Sequence, residues 1–404
     1  MTAPTITSTT PLPAATLGAP YTFTFAATGG APPYVWTAGD LPGTLTLDTA
    51  GFLTGSILID PPYPPGGPYA LAITVTDSTP EARAMTFSLS VMHDFGLGPV
   101  SAHPHPNGGG WVADSATVAI TAYVGPDAVV ADKAQVLGYA KIYMNAKVYD
   151  SAIVKDHAQV YGSAIVFENA VLSDNAQAYD SATVYGSATM SGAAQAFDSA
   201  QIYGSAKLSG NSQVYNTAQV YEGGIVTENA VILGSATVTG TARVAGSAQV
   251  NGGNAAVLGA AFVYGNARVL SDAIVDGNAR IYGSAIVTNS AIIRGEALIY
   301  DTANISQAAI VEGGSKVYGT ARLMSNVHVR GKAQVYGNAL LGGLDGVIQG
   351  RAEVGGTAEL TTTGYLVEGD DMILTTTTPP PTWVPPSVGP STPSTPSTPS
   401  APSP

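Results

Sequence analysis

The sequence predicts an all-β chain: a small β-sandwich over residues 1–92, a left-handed parallel β-helix over 113–360 and a disordered tail over 361–404. Three observations carry that reading. Only 11% of the residues are charged, against about 25% in ordinary soluble domains, so little material exists for the solvent faces of amphipathic helices. Alanine recurs at every sixth position through most of the chain. The first segment instead alternates apolar and polar residues between Gly and Pro turns.

In that first segment, Tyr21–Phe25, Leu45–Leu47, Ala70–Val75 and Met85–Val91 show period-two alternation, separated by turn signals such as Gly29-Gly30 and Pro61-Pro62. Short strands at this spacing suit a β-sandwich. Gly18-Ala-Pro-Tyr-Thr-Phe23, Ala27-Thr-Gly-Gly30, Pro33-Tyr-Val-Trp36, Leu41-Pro-Gly-Thr-Leu-Thr-Leu47, Gly51-Phe-Leu-Thr-Gly55 and Val75-Thr-Asp-Ser78 resemble the bacterial putative-Ig module, a relative of cadherin-like sandwiches. The likeness spans nearly the whole segment. It departs at Gly55-Ser56-Ile57 and the Pro-rich insertion that follows, where the module usually has Gly-Thr-Pro. The resemblance implies an Ig-like spacer or adhesion module of surface and virion proteins, with no chemistry of its own. Cadherin analogy would add calcium, but Asp40, Asp48, Asp60 and Asp77 are scattered, as solvated turn aspartates are.

Residues 93–112 read as a linker and cap. They hold His93, His103 and His105, then Asn107-Gly-Gly-Gly110-Trp111. With Pro104 and Pro106 interleaved and no carboxylate pair nearby, an ordered turn fits better than a metal site. Trp111 is expected to plug the open end of the next domain's core.

Residues 113–360 carry an internal repeat. Stepping by six from Ala116 to Ala248 gives 23 positions, and 21 are Ala; Ser212 and Gly224 are the exceptions. Two residues after each stands an apolar residue, unbroken from Val118 to Val250. A one-residue slip through Asn251-Gly-Gly-Asn254 resets the phase at Ala255, and 13 of the 15 positions up to Ala339 are Ala. A second slip at Gly342–Gly346 leads to Ala352 and Ala358. Six residues advance an α-helix by about 600°, so the Ala row would spiral round the cylinder. The unit Ala158-Gln-Val-Tyr-Gly-Ser163 instead alternates in and out, then turns on small polar residues: a short strand and a corner. Three units close a triangular coil of 18 residues, the left-handed β-helix, an exception to the right-handed crossover rule.

The coil length is visible as columns. Tyr143, Tyr161, Tyr179, Phe197 and Tyr215 recur at a step of 18, as do Tyr149, Phe167, Tyr185, Tyr203 and Tyr221. The remaining face has Lys155, Ser173, Ser191, Ser209 and Thr227 at that place, and beyond the first slip one aromatic column remains, Tyr264, Tyr282, Tyr300, Tyr318 and Tyr336. Roughly thirteen coils at about 4.8 Å make a rod on the order of 60 Å long. Gln159, Gln177, Gln195 and Gln213 form a ladder that can hydrogen-bond along the axis. Asp276, Arg294, Glu312 and Arg330 alternate in sign, as rungs worth about 0–1 kcal/mol each when exposed. Asp132, Asp150 and Glu168 stack with like sign, which either attracts a cation or is simply solvated.

The repeat resembles the hexapeptide-repeat superfamily. That resemblance implies the left-handed β-helix, usually as a trimer, among whose members are acyltransferases and γ-class carbonic anhydrases. Here Ala fills the small inward position and Gly comes two residues after the aliphatic, not one. Asn107-Gly-Gly-Gly-Trp-Val112 ahead of such repeats resembles a group of bacterial and phage surface proteins. The anhydrases need three His around zinc, whereas the repeat region has only His157 and His328, over nine coils apart. Acyl transfer needs a general-base His in an intersubunit cleft, usually under an extended loop; no loop here exceeds one extra residue, and His157 sits at a corner. No nucleophile elbow, phosphate loop or zinc-protease motif occurs. An ice-binding face would need a uniform Thr column, and Lys147, Ile165, Thr183, Gln201, Gln219, Thr237 is mixed.

The expected chain is therefore no enzyme and needs no cofactor or metal; a hexapeptide-repeat acyltransferase with an intersubunit site is the alternative. A net charge of −13 argues against nucleic acid. With no Cys there is no disulfide, thiolate site or Cys nucleophile. No apolar stretch approaches the ~18 residues that would span a bilayer, and the opening MTAPTITSTTPLP lacks the marks of a signal peptide. The tail, from the Thr-rich run Thr375–Thr378 to the Pro-Ser-Thr repeats, leans to polyproline II as a linker or stalk. The aromatic columns admit three uses: stacking on one another, burial against sister chains in a homotrimer, or platforms for sugar rings beside the Gln ladder. The expectation is a phage tail-fibre or virion-surface component, or a secreted bacterial adhesin, whose partner is a cell-surface glycan or another virion or surface protein. The ten rings of the first two columns and the four glutamines are its candidate contact residues.

Overall fold

The computed structural model describes residues 3–58 and 68–374. Asp60, the Pro61-Pro62 turn, most of the Pro-rich insertion and the Thr/Pro/Ser tail from 375 lie outside the described residues. Described secondary structure is all strand.

The N-terminal strands form a sandwich because their alternation gives each one apolar face. Pro20–Thr24 pairs antiparallel with Phe52–Ser56, which also pairs with Thr46–Leu47. Opposite them, Tyr69–Thr76 lies between Val35–Ala38 and Ala82–Leu89. Their inward residues, Phe25, Trp36, Leu53, Ile73, Val75 and Phe87 among them, form one buried cluster. Phe25 packs between Trp36 and Phe87, at 5.7 and 4.9 Å between ring centroids. Gly51 admits the indole: at φ +94°, a Cβ there would lie 2.8 Å from Trp36 Nε1.

Of the scattered aspartates, Asp48 is an exposed turn residue as expected, whereas Asp77, also at a turn, is not solvated. Asp48 accepts from the backbone N–H groups of Ala50 and Phe52. Asp77 is buried and ties two loops together, accepting from Ala31 N at 2.9 Å, Thr79 N and Oγ1 at 2.8 Å and Glu81 N at 3.1 Å. The Ala31 N–H, helped by the Thr79 and Glu81 donors, outweighs desolvation and holds its carboxyl down to about 2.

Beyond residue 110, three parallel sheets of 15, 15 and 14 strands run the length of a solenoid, and Ala102–Pro104 adds an antiparallel strand at the start of the first. The first face begins at Trp111–Ala113, the second at Thr117–Val118 and the third at Tyr123–Val124. Most strands are two residues long and pair with the strand 18 residues on, as in Thr117 with Gln135 and Lys141 with Gln159. The interior is the Ala row and the aliphatic row, nearly all fully buried in one continuous cluster. Ladder bonds such as Gln159 N to Ala176 O (2.9 Å) and Tyr161 N to Ala178 O (3.0 Å) satisfy the backbone from coil to coil.

Each corner needs a residue in the left-handed region. Where it is not Gly it is usually Asp, Asn or Glu, at φ near +55 to +60°, for example Asp180 (+53°) and Asn216 (+58°). Where it is Gly, as at Gly186, a Cβ would stand 2.7 Å from Gly204 N of the next coil.

The slips appear where expected, since Thr237 pairs with Ala256 and His328 with Val347, steps of 19. Two expectations need correction. The solenoid does not end at 360, because Leu366–Val367 and Met372–Leu374 add another coil to the first and second faces. A third slip, through Thr361–Gly364, hides this coil, and Tyr365 replaces the Ala that would have marked it. The Tyr365 ring fits only because the residue above it is Gly346, where a Cβ would stand 2.2 Å from the ring. Nor does Trp111 plug the core. It takes the outward position of its strand, with Val112 buried, and rests on His93 at 4.1 Å between centroids. The cap is the turn after His105, where Gly110 N donates to Val124 O, Val124 N donates to Asn107 O, and Asn107 Nδ2 donates to Ala122 O.

Two measurements check this account. Asp77 has a folded pKa below its unfolded value, so its stabilisation is complete above about pH 4 and is lost as pH falls towards 2. The sandwich should therefore lose stability across that window, and Asp77→Asn should flatten the acid limb in a denaturant series. Ser212 breaks the Ala row, is fully buried and has no hydrogen-bond partner for its hydroxyl among the described residues. Desolvating an unpaired hydroxyl costs about 1–3 kcal/mol, so Ser212→Ala should raise the solenoid's denaturant midpoint; a lower midpoint would contradict the packing.

Candidate functional site

The 18-residue register sets each outward side chain above its equivalent in the next coil. On the third face Tyr143, Tyr161, Tyr179, Phe197 and Tyr215 stack at 4.6–4.9 Å between centroids and within 8° of parallel. On the first face Tyr149, Phe167, Tyr185, Tyr203 and Tyr221 stack at 4.8–5.1 Å. All ten rings are half-buried. A ring inside a column has both faces covered by its neighbours, so it offers solvent an edge and, for Tyr, a hydroxyl. Each stacked pair contributes about 0.5–1.5 kcal/mol beyond its buried area.

The glutamines Gln159, Gln177, Gln195 and Gln213 occupy one column of the third face, also half-buried. Gln213 Nε2 donates to Gln195 Oε1 at 3.0 Å, an axial ladder bond. The Tyr143 hydroxyl donates to Gln159 at 3.2 Å and the Tyr161 hydroxyl to Gln177 at 3.4 Å, joining aromatic column to amide column. The sequence arithmetic thus placed these fourteen residues in adjoining rows of two faces. Beyond the first slip the remaining column lies on the second face. Tyr282, Tyr300, Tyr318 and Tyr336 are buried there, stacked at 4.8–5.2 Å.

The acidic columns are corner residues with a backbone task. Asp132 Oδ2 accepts from Asp150 N, and Asp150 Oδ2 from Glu168 N, at 3.3 and 3.1 Å. Asp156 serves Asp174, and Asp174 serves Gly192, in the same way. Each carboxylate thus accepts the N–H of the corner one coil on, and among the described residues no group of three His, Asp or Glu is arranged to hold a metal ion. The alternating ladder forms one ion-paired rung, Arg294 to Glu312 at 2.6 Å; Glu312 also meets His328 Nε2 at 2.7 Å, while Arg330 turns to Gln349. The linker histidines diverge: His103 Nδ1 pairs with Asp114 at 2.8 Å, His105 holds its own turn, and His93 lies against Trp111.

One feature escaped sequence arithmetic. Tyr139, Lys141 and Tyr143 follow at every second residue and point outward from one coil, flanking a cleft of about 440 Å³ that Asn107, Thr121, Tyr123 and Gln159 also line. Tyr139 is 59% exposed and stacks on His157 at 5.5 Å. Here the column has an end, because the position below Tyr143 is Gly125. The signal was present as that missing side chain and the Lys between two Tyr.

Residues 3–92 match the family model described as a putative Ig domain. That segment is an Ig-like domain. No curated protein matches the chain. Among solved structures, a putative alpha-galactosidase/melibiase from Bacteroides fragilis aligns at 20% identity and a TM-score of 0.18, over 22% of this chain and 17% of its own length. A likeness at that level carries no argument here. An Ig-like domain joined to a long parallel β-solenoid is the build of a structural, surface-type protein.

Burial pushes the hydroxyls of Tyr161 and Tyr300 up to about 12. A phenol whose folded pKa lies above its unfolded value of about 10 stabilises fully below that pH and loses the contribution as pH rises through 12. Spectrophotometric titration should find column phenolates appearing only with, or after, loss of solenoid structure above about pH 10.

Proposed function

We propose that the chain is a non-enzymatic structural and adhesive protein, a phage tail-fibre or virion-surface component or a secreted bacterial adhesin, contacting host-surface polysaccharide. The observation that carries the reading is the pairing of two outward aromatic columns, five rings each, with an amide column of four glutamines. A sugar chain laid along the third face would meet Tyr edges and hydroxyls together with Gln amides, a repeating set of apolar and hydrogen-bonding groups. Interior ring faces are stacked, so the contact is edge-on, not the flat platform the sequence suggested. Homotrimer formation would compete for the same surface.

The acyl-transfer alternative draws no support from His157, whose ring lies within 17° of parallel to Tyr139 at a corner. Acetyl-CoA turnover abolished by His157→Ala would restore it.

The test combines mass in solution by light scattering with a glycan array. A monomer with exposed columns is expected to bind a polysaccharide class. Tyr161→Phe with Tyr179→Phe keeps the stack, removes two hydroxyls and should weaken binding, as should Gln177→Ala. A blank array from well-folded monomer, or attachment indifferent to all three changes, would sink the adhesive reading.

A further inference from the structure

We propose that the cleft at the start of the third face is a binding site for an anionic sugar unit, a uronic or sialic acid. This rests on the polysaccharide reading and gives it a location and a ligand charge.

Side chains at every second position of a strand share one face, about 6.5–7 Å apart. Lys141 and Tyr143 share the outward side of their strand, and Tyr139 adds its ring from the preceding corner, so ring, ammonium and ring line one cleft. Lys141 is exposed, and among the described residues its ammonium takes part in no ion pair. Lining the cleft together with Tyr139 and Tyr143, it supplies that cleft's cationic group.

The cleft's volume, about 440 Å³, falls in the range of small-ligand sites, about 300–1,000 Å³. Elsewhere in the column ring faces are closed, but Tyr143 is its terminal ring, with Gly125 beneath it in the register and only the edge of Tyr123 nearby. Tyr139, from the adjoining corner, is the most exposed tyrosine among the described residues, backed by His157. Gln159 accepts the Tyr143 hydroxyl, which leaves its Nε2 hydrogens for a ligand. Aromatic surface for a pyranose ring, amide donors for hydroxyls and an ammonium for a carboxylate thus converge in one place. A neutral sugar would satisfy all of these except the ammonium.

Isothermal titration of the full chain with sodium glucuronate and N-acetylneuraminate, with glucose as neutral control, tests the proposal. The acids are expected to bind, and glucose to bind at least about tenfold more weakly. Lys141→Gln and Tyr139→Ala should each raise Kd about tenfold or more, the effect of losing a charge-assisted hydrogen bond or a stacking surface. Lys332→Gln, which removes an exposed lysine of the C-terminal half outside every proposed contact row, should leave Kd unchanged. An unchanged melting curve for the Tyr139 and Lys141 variants separates lost contact from lost fold.

Acids that bind no better than glucose, or a Kd indifferent to Lys141→Gln, would overturn the proposal. Binding lost with Tyr179→Phe but not with Tyr139→Ala, or array hits confined to neutral glycans, would overturn this site and leave the polysaccharide reading standing. No titration signal together with a blank array would remove both.

Discussion

Everything on the solenoid surface depends on the register of its backbone ladder. Because residue i pairs with residue i+18, a choice made at one position is repeated above and below it. Rings gain from this, since parallel offset stacking at about 4.8 Å is favourable. Like charges lose by it. The low charged fraction of 11% follows: outward positions filled with Lys or Glu would become columns of like sign. Carboxylates are admitted at the corners, where each accepts a backbone N–H from the next coil and so gains a partner that offsets the repulsion.

The same register limits where chemistry can occur. In the middle of a column each group is already met by its own kind, ring by ring, amide by amide or hydroxyl by amide. Open ring faces occur where columns stop, as at Tyr143 over Gly125. The cleft around Lys141 lies at such an end. So does the hollow at the first slip, lined by Asn251, Arg268 and Asp272.

That division also explains what could be read from sequence. The coil length, the inward rows, the three aromatic columns and the slips at 251–254 and 342–346 follow from periodicity, because a pattern repeated over many coils averages out local exceptions. Exceptions are what periodicity cannot show. The last coil was missed because Tyr365 stands where Ala is expected, and its fit depends on Gly346, a size compensation across 19 residues. Trp111 was assigned to the core because an isolated aromatic before a repeat resembles a plug; its strand phase, with Val112 inward, points it outward to His93 instead. Tyr139 and Lys141 stand in register with His157 and Gln159, residues of different type, so a search for columns of like residues passed over them. The hydrogen bonds from Tyr to Gln join different rows, and row counting treats rows separately.

The first slip divides the rod into halves of different character. Before it, two columns of half-buried rings and a Gln row face outward. After it, one Tyr column is carried on the second face and sinks among its neighbours: Tyr282 is 6% exposed and Tyr318 5%, packed with Tyr264, Leu298 and Leu374. Burial pushes the Tyr282 and Tyr318 hydroxyls far above the usual phenol range, as it does less strongly for the outward rows. A ring so covered stabilises the coil but presents nothing to a partner. The first face meanwhile exchanges its rings for Asp276, Arg294 and Glu312. The half-buried outward ring columns therefore belong to the N-terminal half and the buried one to the C-terminal half, so the same repeat serves as surface in one and as packing in the other.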